Sequence, residues 1–170
     1  MKHKILFLLS GIPGCGKSTW AAHEVEKFGG VIISRDQIRF ALLEERGGDY
    51  FDYEDEVIEK FLAAIQKAIE DPSIERIYVD ATHLNRKARE MVTKNVGLAN
   101  VDEVNCVFFD ICSTVAIERN EKRTGLARVP RSVIRRMSFS HTVPDKDEPF
   151  NNIIFIDEFG KETVKKWQSS

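Results

Sequence analysis

Cysteine is scarce in this chain of 170 residues. There are three, Cys15, Cys106 and Cys112, with no metal-binding spacing among them. An odd number excludes a fully paired disulfide framework and points to free thiols in a reducing compartment, hence to a cytoplasmic protein. Long hydrophobic runs are also missing. None approaches the roughly 18–20 residues of a membrane span, so a membrane partner is not expected. The run Ile5–Leu9 follows Met1-Lys2-His3-Lys4 and imitates a short signal peptide. It leads without a small-residue cleavage site into Gly11, and therefore reads as a strand. There is no internal repeat, low-complexity tract or linker, and the length suits one domain over residues 1–170. An excess of charge of one sign is lacking as well. The 25 Lys and Arg against 27 Asp and Glu leave a net −2, which excludes a general nucleic-acid-coating protein.

What the chain does have is ordinary globular content, 42% hydrophobic and 31% charged, with its charge unevenly placed. Residues 44–60 are acidic. Residues 119–136 hold seven Lys and Arg against Glu121 alone. Strand-like and helix-like segments alternate. Strands are expected at Ile5–Leu9, Val31–Ile33, Ile77–Val79, Val104–Phe109 and Ile153–Ile156. Helices are expected at 17–28, 37–43, 53–69, 86–95, 113–123 and 130–137, with a terminal one at 161–167 and loop at 141–151. Ser113 is a candidate helix cap. Apolar strands alternating with helices predict a three-layer α/β fold, with a parallel sheet of about five strands and helices on both faces.

The segment Gly11-Ile12-Pro13-Gly14-Cys15-Gly16-Lys17-Ser18 fits the phosphate-binding loop G-x-x-x-x-G-K-[ST], and it lies between a strand and a helix as that loop must. Glycines let the backbone N–H groups converge, and the helix start adds positive dipole. Lys17 can reach the β- and γ-phosphates of ATP and Ser18 can hold Mg²⁺. Cys15 reads as a small residue tolerated inside the loop. Ligands of open parallel sheets bind beyond the carboxyl ends of the strands, which here are Ser10–Gly11, Ser34–Asp36, Asp80–Thr82 and Asp110. Asp36 and Arg39 share one helical turn. They read either as a base and a cation for an anionic acceptor or as a helix-start carboxylate with a surface arginine. Asp80 reads either as a metal-side carboxylate bonded to Ser18 or as a turn residue. His83 reads as a polar loop residue. Arg119, Arg123 and Arg128 read as a lid over phosphates or as a solvated basic face.

Several motifs coincide in one family. The matching pieces are Gly11–Ala21, Arg35-Asp36-Gln37-Ile38-Arg39, Asp80-Ala81-Thr82-His83-Leu84-Asn85, Val107–Asp110, Arg119-Asn120 with Lys122-Arg123, and Val129-Pro130. In order and spacing they resemble the kinase domain of phage-type polynucleotide 5′-kinases, within the small P-loop kinases. The resemblance implies an ATP- and Mg²⁺-dependent transfer of the γ-phosphate to the 5′-hydroxyl of DNA or RNA. Gly11, Gly14, Cys15, Gly16, Lys17, Ser18 and Thr19 would bind the donor, and Ser18 and Asp80 the metal. Asp36 would be the base, Arg39 would hold the acceptor's 3′-phosphate, and Asp80 and Thr82 would lie beside it. Arg123 would act on the phosphoryl group and Arg119 would flank the nucleotide. Val129 and Val133 would pack the terminal base, and a nucleic-acid 5′ end would be the partner. The Asp-x-Asp-Gly-Thr motif of an appended phosphatase is absent, and His83 stands where the family has Asn. The same residues, Val129 and Val133 apart, equally suit a kinase of a small metabolite, nucleoside or drug. A nucleotide-binding switch without an acceptor is the third reading.

Overall fold

Five apolar residues in a row cannot alternate between core and water, so the strand they form needs cover on both faces. This is what Ile5–Leu9 receives in the computed structural model of the protein, which describes residues 2–167. Strand β1 (Ile5–Ser10) lies between β3 (Arg76–Asp80) and β4 (Glu103–Phe109), parallel to both. Strand β2 (Val31–Ser34) adds outside β3, and β5 (Asn152–Ile156) outside β4, also parallel. The helices are α1 (Lys17–Phe28), α2 (Arg35–Arg46), α3 (Glu54–Glu70), α4 (Arg86–Thr93), α5 (Ser113–Glu121) and α6 (Arg131–Ser140).

The alternation within β1 divides the core. Leu6 and Leu8 face Phe61, Ile65 and Ile69, the apolar stripe of α3. Phe7 and Leu9 face the other way, into a cluster with Ala21 of α1, Ala116 and Ile117 of α5 and Ile134 of α6. The result is helix, sheet, helix. The register aligns the carboxyl ends, with Ser34 opposite Asp80 and Ser10 opposite Phe108. Residues that follow those strands therefore gather at one edge. No helix among the described residues is long and apolar enough to cross a membrane.

The C-terminal segment differs from its sequence reading. Residues 161–167, expected as a helix, contain β6 (Glu162–Lys166), antiparallel to β5, so the sheet has six strands in the order β2-β3-β1-β4-β5-β6 among the described residues. The cause lies in the turn before it. The Asp157 carboxylate accepts from the backbone N–H of Phe159 and of Lys161, both at 2.9 Å, and Gly160 takes φ +80°, so the chain doubles back. Short-range helix propensity loses to a ready-made partner strand. The helix starting at 113 is preceded by Cys112 with no side-chain cap, so Ser113 is its first residue rather than its cap. Helix α6 also runs beyond 137, to Ser140.

Candidate active site

The phosphate loop is shaped by two glycines in the left-handed region, Gly14 at φ +84° and Gly16 at φ +99°. A Cβ on Gly14 would lie 2.3 Å from the carbonyl oxygen of Ala116, so α5 packs against the loop more closely than any side chain allows. Lys17 is nearly buried and its Nζ donates to the carbonyls of Gly11 and Ile12 at 3.0 and 3.1 Å, which draws the ammonium back over the loop. Thr19 follows on the first turn of α1, exposed, and Cys15 is buried beneath the loop. Arg119 reaches from α5 to the carbonyl of Cys15 at 3.2 Å and to that of Glu158 at 3.1 Å, tying the loop to the β5–β6 turn.

Across the sheet edge, Ser18 Oγ donates to Asp80 Oδ2 at 2.7 Å. A hydroxyl and a carboxylate so close are hard oxygen donors of the kind Mg²⁺ takes, and together they would serve as the protein's part of such a site. The donor set therefore fits Mg²⁺ with ATP. Among the described residues no group of three His, Cys, Asp or Glu could hold a metal by itself.

The other half of the site begins where β2 meets α2. Ser34 caps that helix by accepting from Gln37 N–H at 3.2 Å, which sets Arg35 and Asp36 on its first turn. The Asp36 side chain is 57% exposed, whereas that of Arg39 is only 2% exposed. The Arg39 guanidinium donates to both oxygens of Glu54 at 2.9 and 2.7 Å, to Tyr50 Oη at 2.9 Å and to Asp36 Oδ1, and it stacks over the Tyr50 ring. Burial pulls the Arg39 pKa down, but the bonds to Glu54 and the charges around it outweigh this and leave it raised. Tyr50 Oη donates to the same Asp36 oxygen at 2.7 Å. Burial first, then the Asp36 charge, pushes the Tyr50 phenol up to about 12, so it stays a donor. The cation that spacing offers to an anionic acceptor is thus engaged by the protein's own groups. Glu54 lies fifteen residues away in sequence, out of reach of any helix-spacing rule.

Between the two halves lies a cleft of about 450 Å³. It is lined by Lys17, Ser18 and Asp80 of the phosphate-loop side and by Arg35, Asp36 and Arg39 of α2, together with Ala81 and Thr82 after β3. Its walls are apolar. Tyr50 and Phe51 come from the α2–α3 connection, and Leu126, Val129, Val133 and Met137 from the segment around α6. Arg123 and Arg128, both exposed, line its rim. Asn120 holds the rim segment from below. Its Nδ2 donates to Val129 O at 2.6 Å and its Oδ1 accepts from Val129 N–H at 2.9 Å. The structure therefore gathers Lys17, Ser18, Asp36, Arg39, Asp80, Thr82, Arg123, Val129 and Val133 around one space, and places Arg119 outside it. Tyr50, Phe51, Leu126 and Met137 were not singled out from sequence, because apolar residues in acidic or basic stretches carry no short-range signal.

His83 departs from its reading as a polar loop residue. It is buried, takes φ +40°, and its Nδ1 lies 2.6 Å from Leu9 O. With a carbonyl as partner, Nδ1 carries the proton. Burial drives its pKa down to about 3. His141 joins the same edge through Ser10 Oγ at 3.1 Å, and burial, followed by the charge of Lys17, lowers it to about 4.

A sequence profile described as an AAA domain matches residues 6–144. Among solved structures, the fold is similar to an unliganded sugar kinase from Janibacter sp. HTCC2649, with a TM-score of 0.62 and 19% identity over 94% of this chain and 87% of that one. It is similar to a gluconokinase from Sinorhizobium meliloti 1021, with a TM-score of 0.59 and 20% identity over 92% and 84%. A chain of the Pnkp1/Rnl/Hen1 RNA repair complex also matches, at TM-score 0.64 and 23% identity, over 82% of this chain and 44% of that one. At such identities the likeness is one of fold, a three-layer α/β arrangement with a mostly parallel sheet and helices on both faces.

Proposed function

The chain belongs to this AAA-domain family, and from that premise we propose that it is an ATP-dependent kinase of a small hydroxyl-bearing molecule. One observation carries the reading. Lys17 and Ser18 of the phosphate loop and the Asp36 carboxylate line one cleft of about 450 Å³, a volume that suits one small ligand. The similarity to sugar kinases supports it at the level of fold.

The acceptor hydroxyl attacks the γ-phosphorus in line. An O–P bond forms, the bridging P–O bond to the β-phosphate breaks, ADP leaves, and the hydroxyl proton passes to Asp36. Asp36 Oδ1 is held by Arg39 and Tyr50, and Oδ2 has no hydrogen-bond partner among the described residues, so Oδ2 is the oxygen offered to the acceptor. Lys17 and the loop amides orient the phosphates. Ser18 and Asp80 would hold Mg²⁺, which when bound offsets charge on the phosphate oxygens. Arg123 at the rim answers charge on the transferred group.

A 5′-hydroxyl polynucleotide acceptor is the second reading. The apolar wall of Val129 and Val133, able to pack a base, and the basic stretch 119–136 favour it. It ranks below the first because Arg39, the residue the resemblance assigns to a 3′-phosphate, is enclosed by Glu54, Asp36 and Tyr50. The test is transfer of labelled γ-phosphate to a panel of sugars, polyols and nucleosides beside 5′-hydroxyl DNA and RNA. The expected result is turnover on a small acceptor, lowered by about 10²-fold or more in Lys17→Ala and in Asp36→Ala. Turnover only on oligonucleotides would reverse the two readings. ATP hydrolysis without any phosphorylated product, unaffected by Asp36→Ala, would remove both.

A further inference from the structure

Arg35 is a cation that no carboxylate among the described residues meets at hydrogen-bonding distance. Its side chain is 24% exposed, and its one ion pair among the described residues is to Glu54 Oε1 at 3.9 Å, too long for a hydrogen bond. That carboxylate already gives both oxygens to Arg39 at 2.9 and 2.7 Å. None of the guanidinium's five N–H donors makes a hydrogen bond among the described residues, which leaves them open to a ligand. Burial, and next the like charge of Arg39, pull its pKa below the ordinary arginine value. A positive group held at such a position against its own neighbour is poised to receive a negative one.

Its place says whose. Arg35 opens α2 directly after Ser34, which pairs in register with Asp80, so it stands at the carboxyl edge of the sheet beside the base Asp36. It lines the same cleft as Lys17, Ser18 and Asp80, but on the β2 side, where the acceptor must lie for its hydroxyl to reach Asp36. The helix start adds a positive partial charge there. The planar fork of a guanidinium matches a carboxylate or a phosphate through two parallel bonds. We propose that Arg35, and not Arg39, is the receptor for an anionic group on the acceptor, so that the acceptor is a hydroxyl compound that also carries a carboxylate or phosphate. This rests on the kinase reading above. It narrows that reading to organic anions and explains why the cleft keeps one arginine locked and one available.

The test uses matched pairs of probes, gluconate with sorbitol and adenosine 3′-monophosphate with adenosine. Their binding is measured by calorimetry on the full chain with Mg²⁺ and a non-hydrolysable ATP analogue. The wild type is expected to bind the anionic member of at least one pair about tenfold or more tightly than its neutral mate, the scale of one charge-assisted bond. The pair that responds separates carboxylate from phosphate. Arg35→Gln is expected to erase that preference while leaving affinity for the ATP analogue unchanged, which also shows that the variant is folded. Arg35→Lys should retain part of it. A wild type without preference in either pair, or an Arg35→Gln variant that keeps the preference, overturns the proposal. So does a kcat lowered equally on charged and neutral acceptors, since Arg35 would then act on the transferring phosphoryl group. An Arg35-dependent preference without phosphoryl transfer upholds the anion receptor and overturns the kinase reading instead.

Discussion

At position 83 the chain holds a histidine that burial keeps neutral, with a pKa of about 3 against its ordinary 6.5. Because the folded value is depressed, the unfolded chain binds the extra proton first as pH falls. Stability is full above the unfolded value and is lost progressively toward the folded one. At 1.36 kcal/mol per unit, His83 alone is expected to remove about 2 kcal/mol between neutral pH and pH 5. His141, lowered to about 4, contributes in the same direction. We expect His83→Asn to cut the acid-induced fall in melting temperature between pH 7.5 and 5 by about half, measured as a difference so that any uniform cost of the substitution cancels. A slope identical to wild type would mean that His83 is protonated in the fold. The position looks like a polar loop residue in sequence because its neighbours Thr82 and Asn85 are polar. Only the packing of Phe61 over its ring, and Leu9 O at 2.6 Å, reveal it as core.

At the scale of elements, the decisive contacts join segments distant in sequence. Helix α4 carries Arg89, fully buried, which donates to the two oxygens of Glu148 at 2.8 and 3.0 Å and to Thr142 O at 2.8 Å. That pair fastens the 141–151 loop against the sheet edge where Ser10 and His83 lie. Removing Arg89 takes from the buried Glu148 carboxylate its cationic partner and leaves it the backbone N–H of Asp145 among its other contacts. Arg89→Met is expected to cost about 3–5 kcal/mol in urea unfolding, and the double replacement Arg89→Met with Glu148→Met to recover most of it. A loss in the double variant as large as in the single would show that the pair acts through geometry and not through charge. Much at this scale was legible beforehand. The strands β1 to β5 follow from apolar runs, and α3 from its four-residue apolar spacing. The strand β6 was not legible, since Lys161–Trp167 has no strand pattern of its own and becomes a strand only because Asp157 and Gly160 turn it back onto β5.

For the whole molecule, the order of the sheet sets which elements flank the phosphate loop. With β1 central, the phosphate loop has β3 and β2 on one side and β4, β5 and β6 on the other. Asp36 and Arg35, the groups proposed to meet the acceptor, come from the first side. Arg119 stands on the second, where it donates both to the loop's Cys15 carbonyl and to the Glu158 carbonyl of the β5–β6 turn. A ligand bound by the native state alone stabilises by mass action, about 2.7 kcal/mol at a hundredfold excess over Kd. Mg²⁺ with a non-hydrolysable ATP analogue is therefore expected to raise the melting temperature by about 5–10 °C for a chain of this size. Chelating the metal should shrink the shift, and Lys17→Ala should abolish it. An unshifted wild type would speak against the phosphate loop as a nucleotide site.

The sequence by itself determined the donor half. A phosphate loop is a contiguous device whose glycines, lysine and serine must be adjacent in the chain, so Gly11–Ser18 announces it, and the apolar strand before it announces the sheet. The half of the site proposed for the acceptor was decided only by the tertiary structure. Its parts are a carboxylate from one helix start, a phenol from the α2–α3 connection, an apolar wall around α6, and the choice of which arginine remains available. That choice depends on Glu54, brought by α3 to within hydrogen-bonding distance of Arg39 and only 3.9 Å from Arg35. Competition between two arginines for one carboxylate is a matter of distances in space, and no spacing along the chain encodes it.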